Sequence, residues 1–342
     1  METAGARPSA APEALRLASA GAVAVLTLPM VAGFLGAVHP FFDTLAHFRV
    51  HLAVAVAISA LPLAVSRWWP QGFVAWLLAA VALATALDPA LLPGAPQRAA
   101  FEKPDVTAST HTLLSANLLY DNATPDAFVA LVRDRHPDVL ALSEVSDRWA
   151  DRLRGLLNLY PYQIRCGRGA KKGGTAVLSR FPFASGRFGS CSEDGSLAVA
   201  PLEIDGKEVS VAAIHLRWPW PRDQARQIGV LAPTLAALPA RSIVAGDLNA
   251  TPWSQTAIRL AREGGLQPME SPGPSWLFKE LPSILRWWAG LPIDHVHVKD
   301  GILLYGARRL EVAGSDHLAL LVEFGLHAEH GTAEPVLTAT LR

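Results

Sequence analysis

Between His111 and His317 the chain sets out, in order, Asn117, Glu144, His215, the run Gly246-Asp247-Leu248-Asn249, Ile293-Asp294-His295 and Ser315-Asp316-His317. Nearly all stand at the ends of apolar, strand-like runs, and together they suit the hydrolysis of a phosphate ester. Such a substrate is anionic, so its catalyst must neutralise the phosphoryl oxygens, hold the leaving group in line and produce a competent water nucleophile. Hard carboxylate and amide oxygens around a magnesium-like ion do this.

Glu144, ending the run Val139-Leu140-Ala141-Leu142-Ser143, is the leading metal-ligand candidate; taken alone it reads as well as a solvated strand-end residue. Asp247 and Asn249 follow Ile243-Val244-Ala245 with Gly246 allowing a sharp turn. Asp247 can orient or deprotonate water and Asn249 can donate to a phosphoryl oxygen, although an Asx turn capping the next helix competes for Asn249. Asp316 and His317 open a final apolar strand and Asp294 interrupts another. A carboxylate beside a histidine fixes its tautomer and raises its pKa, suiting it to bind phosphate or protonate a leaving group. His215 could act likewise, or be structural.

The elements that must position these residues alternate in period. Strand-like runs cover 112–119, 138–143, 176–179, 209–215, 242–247, 293–298, 302–304 and 318–324. Thr124-Pro125-Asp126 predicts a helix start with a capping Thr and Pro at the first position, ending near His136. A second helix, from about Trp253 to Glu263, should close at Gly264-Gly265.

In this order and at strand ends, the residues resemble the endonuclease/exonuclease/phosphatase superfamily over about 110–325, most specifically in Gly246-Asp247-Leu248-Asn249 combined with Ser315-Asp316-His317; Gly173 to Arg180 is similar to a structural strand of that family. The resemblance implies an α/β fold, a four-layer α-β-β-α sandwich, and Mg2+ or Mn2+ as cofactor. It implies that Glu144 and Asp316 bind the metal, Asn117 helps hold metal or phosphate, Asp247 positions the water, Asn249 contacts phosphate, Asp294 pairs with His317, and His215 stabilises the transition state. Ser143 departs from the glutamine usual before the metal-binding glutamate, and the carboxylate that partners the middle histidine in some nuclease members has no counterpart, which leaves the role of His215 open. No His-Glu-x-x-His run, Cys cluster, Gly-x-Ser-x-Gly elbow or Walker loop is present.

The first hundred residues differ in kind. Leu17 to Phe42 is 26 residues without Asp, Glu, Lys or Arg, and Trp68 to Leu87 is 20. Each can cross a hydrocarbon core of about 30 Å, which takes ~20 helical residues, and the first is too long for a signal-peptide core. The stretch between Arg49 and Arg67 is shorter, and Arg49 is expected to snorkel to the interface. We therefore expect a membrane domain over 1–92 with three transmembrane helices (about 17–38, 46–66 and 69–90), a linker over 93–108, a catalytic domain over 109–326 and a tail over 327–342. Charges flanking the spans are balanced and do not orient them. Three spans with the N-terminus inside would place the catalytic domain outside the cytoplasm of a bacterial cell. Cys166 and Cys191 bracket a Gly-rich turn and a strand; they could pair, which would fit an oxidising compartment, or be two unrelated thiols.

With 30 basic and 30 acidic residues there is no global basic footprint, so nucleic acid is a less expected partner than the lipid bilayer. A bilayer tether favours lipid-linked phosphate esters. Trp218, Trp220, Trp287 and Trp288 could form an apolar rim near His215 and Asp294 or pack in the core, and Arg165, Arg168, Lys171 and Lys172 form a basic turn. The layout resembles membrane-anchored bacterial members of the VanJ type. A membrane-tethered nuclease and a non-catalytic binding protein on the same fold are the alternatives.

Overall fold

Each of the best-buried strands carries apolar residues on both faces, which demands layers on both sides. The computed structural model, which describes residues 10–104 and 109–327, supplies them. In β1 (His111–Asn117) and β2 (Val139–Val145), Leu113, Val139 and Ala141 point into a core between two sheets, while Leu114, Leu140 and Leu142 point into a second core under helices. The remaining strands are β3 (Tyr162–Arg165), β4 (Gly174–Ser179), β5 (Ser190–Cys191), β6 (Leu197–Ile204), β7 (Lys207–His215), β8 (Ser242–Asp247), β9 (Gln267–Pro268), β10 (Asp294–Val298), β11 (Ile302–Glu311) and β12 (Leu318–Leu326). They form two six-stranded sheets, ordered β11-β12-β1-β2-β4-β3 and β5-β6-β7-β8-β10-β9.

The helices are α1 (Ala10–Ala32), α2 (Pro40–Ala46), α3 (Arg49–Ser59), α4 (Leu61–Ala64), α5 (Trp69–Leu87), α6 (Pro125–Arg135), α7 (Asp147–Leu153), α8 (Gln224–Ala236), α9 (Gln255–Gly264) and α10 (Ser283–Ala289). Phe128, Val132 and Trp149 of α6 and α7 cover the first sheet, and Ile228, Leu231 and Leu260 of α8 and α9 cover the second. This is the expected α-β-β-α sandwich. Thr124 precedes α6 as expected but does not cap it: its hydroxyl turns to the Ala313 carbonyl, 3.0 Å away. Gly265 closes α9 in the left-handed conformation, at φ 60°.

Cys166, just past β3 on the edge of the first sheet, is disulfide-bonded to Cys191 of β5 on the edge of the second, with 5.5 Å between their Cα atoms. The bond staples the two sheets along one side. Within residues 93–104, part of the expected linker, Ala99 and Phe101 bridge to Met269 and Leu304. Residues 105–108 of that linker and 328–342 of the expected tail lie outside the described residues.

Two of the N-terminal helices are long and apolar enough to cross a membrane, over Glu13–Leu35 and Trp69–Leu87. They pack through small residues such as Ala75, Ala79 and Ala82 and turn Val25, Leu28 and Phe73 outward, as lipid-facing helices do. The middle segment is not one straight span: α2 and the helical stretch after it are bent by 62° at His47-Phe48. Arg49, expected to snorkel, is instead buried over the Phe34 ring at 3.9 Å, with a guanidinium nitrogen 3.3 Å from the Gly33 carbonyl. A carbonyl at the end of α1 and an aromatic face replace the water it would have sought.

Candidate active site

The strand directions explain why the motif residues occur where they do. β1 runs parallel to β2, and β7 parallel to β8. Asn117, Glu144, His215 and Asp247 therefore arrive at the C-terminal ends of their strands at one rim of the sandwich. β10 and β12 run antiparallel to their neighbours, so Asp294 begins β10 opposite Asp247 and His317 immediately precedes β12. Gly246 is required where it stands, because a Cβ there would lie 1.9 Å from the Ile214 carbonyl oxygen.

At that rim Asp294 Oδ2 lies 2.7 Å from His317 Nδ1, and the other ring nitrogen of His317 faces Asp247 Oδ2 at 3.7 Å. His215 Nε2 stands 3.7 Å from Asp247 Oδ2 and 3.9 Å from Glu144 Oε1, so the carboxylates it faces are those of the site itself. The Asn117 amide nitrogen donates to Asp247 Oδ2 at 3.0 Å and to Glu144 Oε1 at 3.4 Å. Asn249 donates its backbone N–H to Asp247 Oδ1 at 2.7 Å and its side-chain amide to the Leu216 carbonyl at 2.8 Å. Ser143, the departure from the family pattern, donates to the Ile214 carbonyl across the two sheets at 3.3 Å.

Burial pushes the Asp247 carboxyl up to about 6, with Asp294 adding and the two histidines opposing. Burial alone would lower His317, but Asp294 and Asp247 outweigh it and hold the imidazolium up to about 10. Burial likewise works against ionised Asp294, and the His317 contact and the Ser275 hydroxyl overcome it to keep its pKa below the usual carboxylate range. The dyad is thus a buried ion pair beside a carboxyl poised near neutrality.

Asp247, Asp294 and His317 also lie close enough together to suggest a metal ligand set. The donor chemistry favours a different one. Asp294 is committed to His317, whereas Asp316 Oδ1 is buried and has no hydrogen-bond partner among the described residues, and its Oδ2 accepts from Trp276 Nε1 at 3.1 Å. An unpartnered buried carboxylate oxygen calls for a cation. Glu144 supplies a second acid, held at Oε2 by the Tyr120 N–H at 2.9 Å. It adopts φ 57° in a bulge of β2, a left-handed conformation rare for a residue with a Cβ and typical of functional sites. These oxygens fit a hard divalent ion.

The residues open into a cleft of about 800 Å³ also lined by Trp218, Trp276, Phe278, Lys172 and, from the N-terminal segment, Phe48. Of the four tryptophans left open between a rim and the core, Trp218 lines the cleft; Trp220 packs on Phe41, and Trp287 and Trp288 line a separate, largely apolar cavity of about 390 Å³. Arg165 of the basic turn pairs with Asp147. Sequence reasoning missed Ser275, whose hydroxyl accepts the N–H groups of Ile293 and Asp294 at 3.1 and 2.9 Å. It also missed Trp276 and Tyr120, and nothing in the local sequence marks any of the three.

A two-sheet sandwich with carboxylates, amides and imidazoles at one rim is the architecture of a class of phosphate-ester hydrolases. The chain belongs to the endonuclease/exonuclease/phosphatase family, whose model matches residues 114–317 and whose members act on phosphate esters, generally with divalent metals. Among solved structures, an endonuclease/exonuclease/phosphatase from Bacteroides vulgatus is 17% identical, with a TM-score of 0.53 over 64% of this chain and 100% of that one. D. rerio TDP2 complexed with a single-strand DNA product is 17% identical, with a TM-score of 0.51 over 64% and 99%. At such identity the likeness is one of fold. No curated protein matches the chain.

Proposed function

We propose that the protein is a membrane-anchored, divalent-metal-dependent phosphoesterase acting on a lipid-linked or phospholipid phosphate at the outer face of the bacterial inner membrane. The observation that carries the reading is the Asp294–His317 pair, 2.7 Å across, set against Asp247 on one side of the cleft, with the oxygens of Glu144 and Asp316 on the same rim. Glu144 and Asp316, with Asn117 beside them, would hold the metal, which when bound supplies charge neutralisation at the phosphoryl group. Asp247, poised near neutrality by burial, orients the attacking water and accepts its proton. His317, kept cationic by Asp294, donates to a phosphoryl oxygen. Asn249 and His215 contact the same group from the β7 side.

The lipid assignment is supported by Phe48, which brings the membrane segment into the wall of the cleft. It is also supported by α10, which exposes Ile284 (76%) and Trp288 (77%) and is tied to α3 by a 2.7 Å contact from His51 Nε2 to the Trp288 carbonyl. An apolar helix held beside the start of a membrane-embedded one suits the interface. The disulfide supports an extracytoplasmic catalytic domain.

The test is phosphate release by the full chain in detergent or nanodiscs, with magnesium, manganese or chelator, from lipid phosphates, inositol phosphates and plasmid DNA, with Asp247→Ala as control. Metal-dependent turnover of lipid phosphates that vanishes in the variant supports the proposal. Cleavage of DNA alone makes the protein a tethered nuclease, and silence across the panel leaves a binding protein on this fold.

A further inference from the structure

The N-terminal segment does more than line the cleft. Asp43 of α2, 3% exposed, accepts hydrogen bonds from Gln255 N at 2.6 Å, Thr256 N at 2.9 Å and Thr256 Oγ1 at 2.7 Å. The two N–H groups open α9 and have no partner within their own helix. A carboxylate from more than 200 residues away therefore completes the cap, where it also favours the positive end of the helix dipole. One turn later, fully buried His47 sets Nε2 3.1 Å from the Asn249 carbonyl and its ring 4.7 Å from that of Trp218. Between these anchors Trp253 Nε1 donates to the Ala46 carbonyl at 2.7 Å. The loop from β8 to α9 is thus bonded to the membrane segment near its start, in its middle and at its end.

That loop carries the site. The Asn249 N–H holds Asp247 Oδ1 at 2.7 Å, so any shift of the Asn249 peptide is passed to the Asp247 carboxylate. An acid within an apolar membrane segment is costly unless paired, and here its pairing is spent on the helix that follows the catalytic loop. We infer that Asp43 and His47 are positioning residues of the active site: the docked membrane segment sets the geometry of Asp247 and Asn249, and the site is complete only when that segment is seated. The catalytic consequence rests on the phosphoesterase reading; the structural one stands without it.

The experiment uses the full chain in nanodiscs, comparing wild type with Asp43→Ala, His47→Ala and the milder Asp43→Asn and His47→Gln. Two quantities are read: amide hydrogen exchange in peptides spanning 247–256, and steady-state hydrolysis of the best substrate from the panel above. The expected result is faster exchange confined to 247–256 in both alanine variants. With it should come a fall in kcat of roughly 10-fold to 100-fold, the scale of a misplacement of about 1 Å, with KM little changed. His47→Gln, which keeps a donor for the Asn249 carbonyl, should recover much of both. Unchanged exchange over 247–256 in both alanine variants overturns the proposal whether or not the wild type turns over. So does loosening without loss of kcat in a protein whose wild type is active. Inactive wild type removes the phosphoesterase reading, and the exchange data still decide the docking. If an alanine variant fails to fold, its milder partner is read in its place.

Discussion

Two strand ends bring the principal carboxylates to the rim, and they are braced in different ways. Glu144 sits at the end of β2 in a bulge, with φ 57°, held by the Tyr120 N–H and near the Asn117 amide. Every brace there comes from the sandwich itself. Asp247 ends β8 without a bulge in its pairing to β7, and the loop that follows is held by Asp43, Ala46 and His47 of the N-terminal segment. One acid is therefore placed by local strain that its own sheet supports; the other, which the Asn117 amide also reaches, leads into a loop held by a distant element. The contrast separates a part of the site that the sandwich can build alone from a part that it shares with the N-terminal helices.

The largest effect should come from the shared side: Asp247→Asn, which removes the carboxylate that accepts the water proton, should lower kcat roughly 10³-fold. Steady-state kinetics at saturating metal measure this, and near-normal turnover would remove Asp247 from the chemistry. Next comes the dyad. His317 is raised from 6.5 to about 10, so its contribution to stability is fully present below 6.5 and is lost as pH rises through about 10. Asp294→Asn should weaken that dependence and bring the alkaline limb of the kcat/KM profile to lower pH, with a loss of about 10²-fold above pH 8. An unmoved limb would assign it to another group.

On the self-braced side stability and activity should part. Glu144→Gly relieves a left-handed residue but gives up the bonds from the Tyr120 N–H and the Asn117 amide, so unfolding stability should move by no more than about 1 kcal/mol while metal-dependent activity is lost; thermal unfolding and turnover of one preparation show both. On the shared side, Asn249→Gly relieves little, since asparagine tolerates that region, and its side chain gives up a bond to the Leu216 carbonyl, so thermal unfolding should show a loss of about 1 kcal/mol or less. The smallest effect is expected for Trp253→Phe, which loses a single hydrogen bond worth about 1 kcal/mol. It should appear as faster exchange next to Ala46 rather than as lost activity.

These differences also mark what could be read in the sequence. Asn117, Glu144, Asp247 and His317 were legible because each ends or begins an apolar run, and parallel and antiparallel pairing carries those termini to one rim. The four layers came with the family resemblance, and strands apolar on both faces agree with them. Ser275 and Trp276 were not legible, because their roles depend on a loop folding back to β10 and on the indole reaching Asp316. Asp43 and His47 were harder still. Asp43 falls between the expected first and second spans and His47 at the start of the second, where no motif marks either, and the bend of 62° that turns them toward α9 has no periodic signature. The middle segment reads as one span because composition reports length and polarity, whereas Pro40, Pro62 and the contacts of the sandwich decide where its helix breaks.

Asp43 and Thr256 stand 213 residues apart, which gives the cap a place in time as well as in space. At about 5–20 residues per second, translation takes on the order of ten to forty seconds to travel between them. Through that interval the acid has been made and its partners have not. The N-terminal helices are thus synthesised first, and the Asp247 loop closes last, onto a segment already made. On the membrane-anchored reading proposed above, maturation of the site becomes a late step that reports on insertion: a copy whose N-terminal helices are not seated would fold its sheets and still lack the seat for its Asp247 loop.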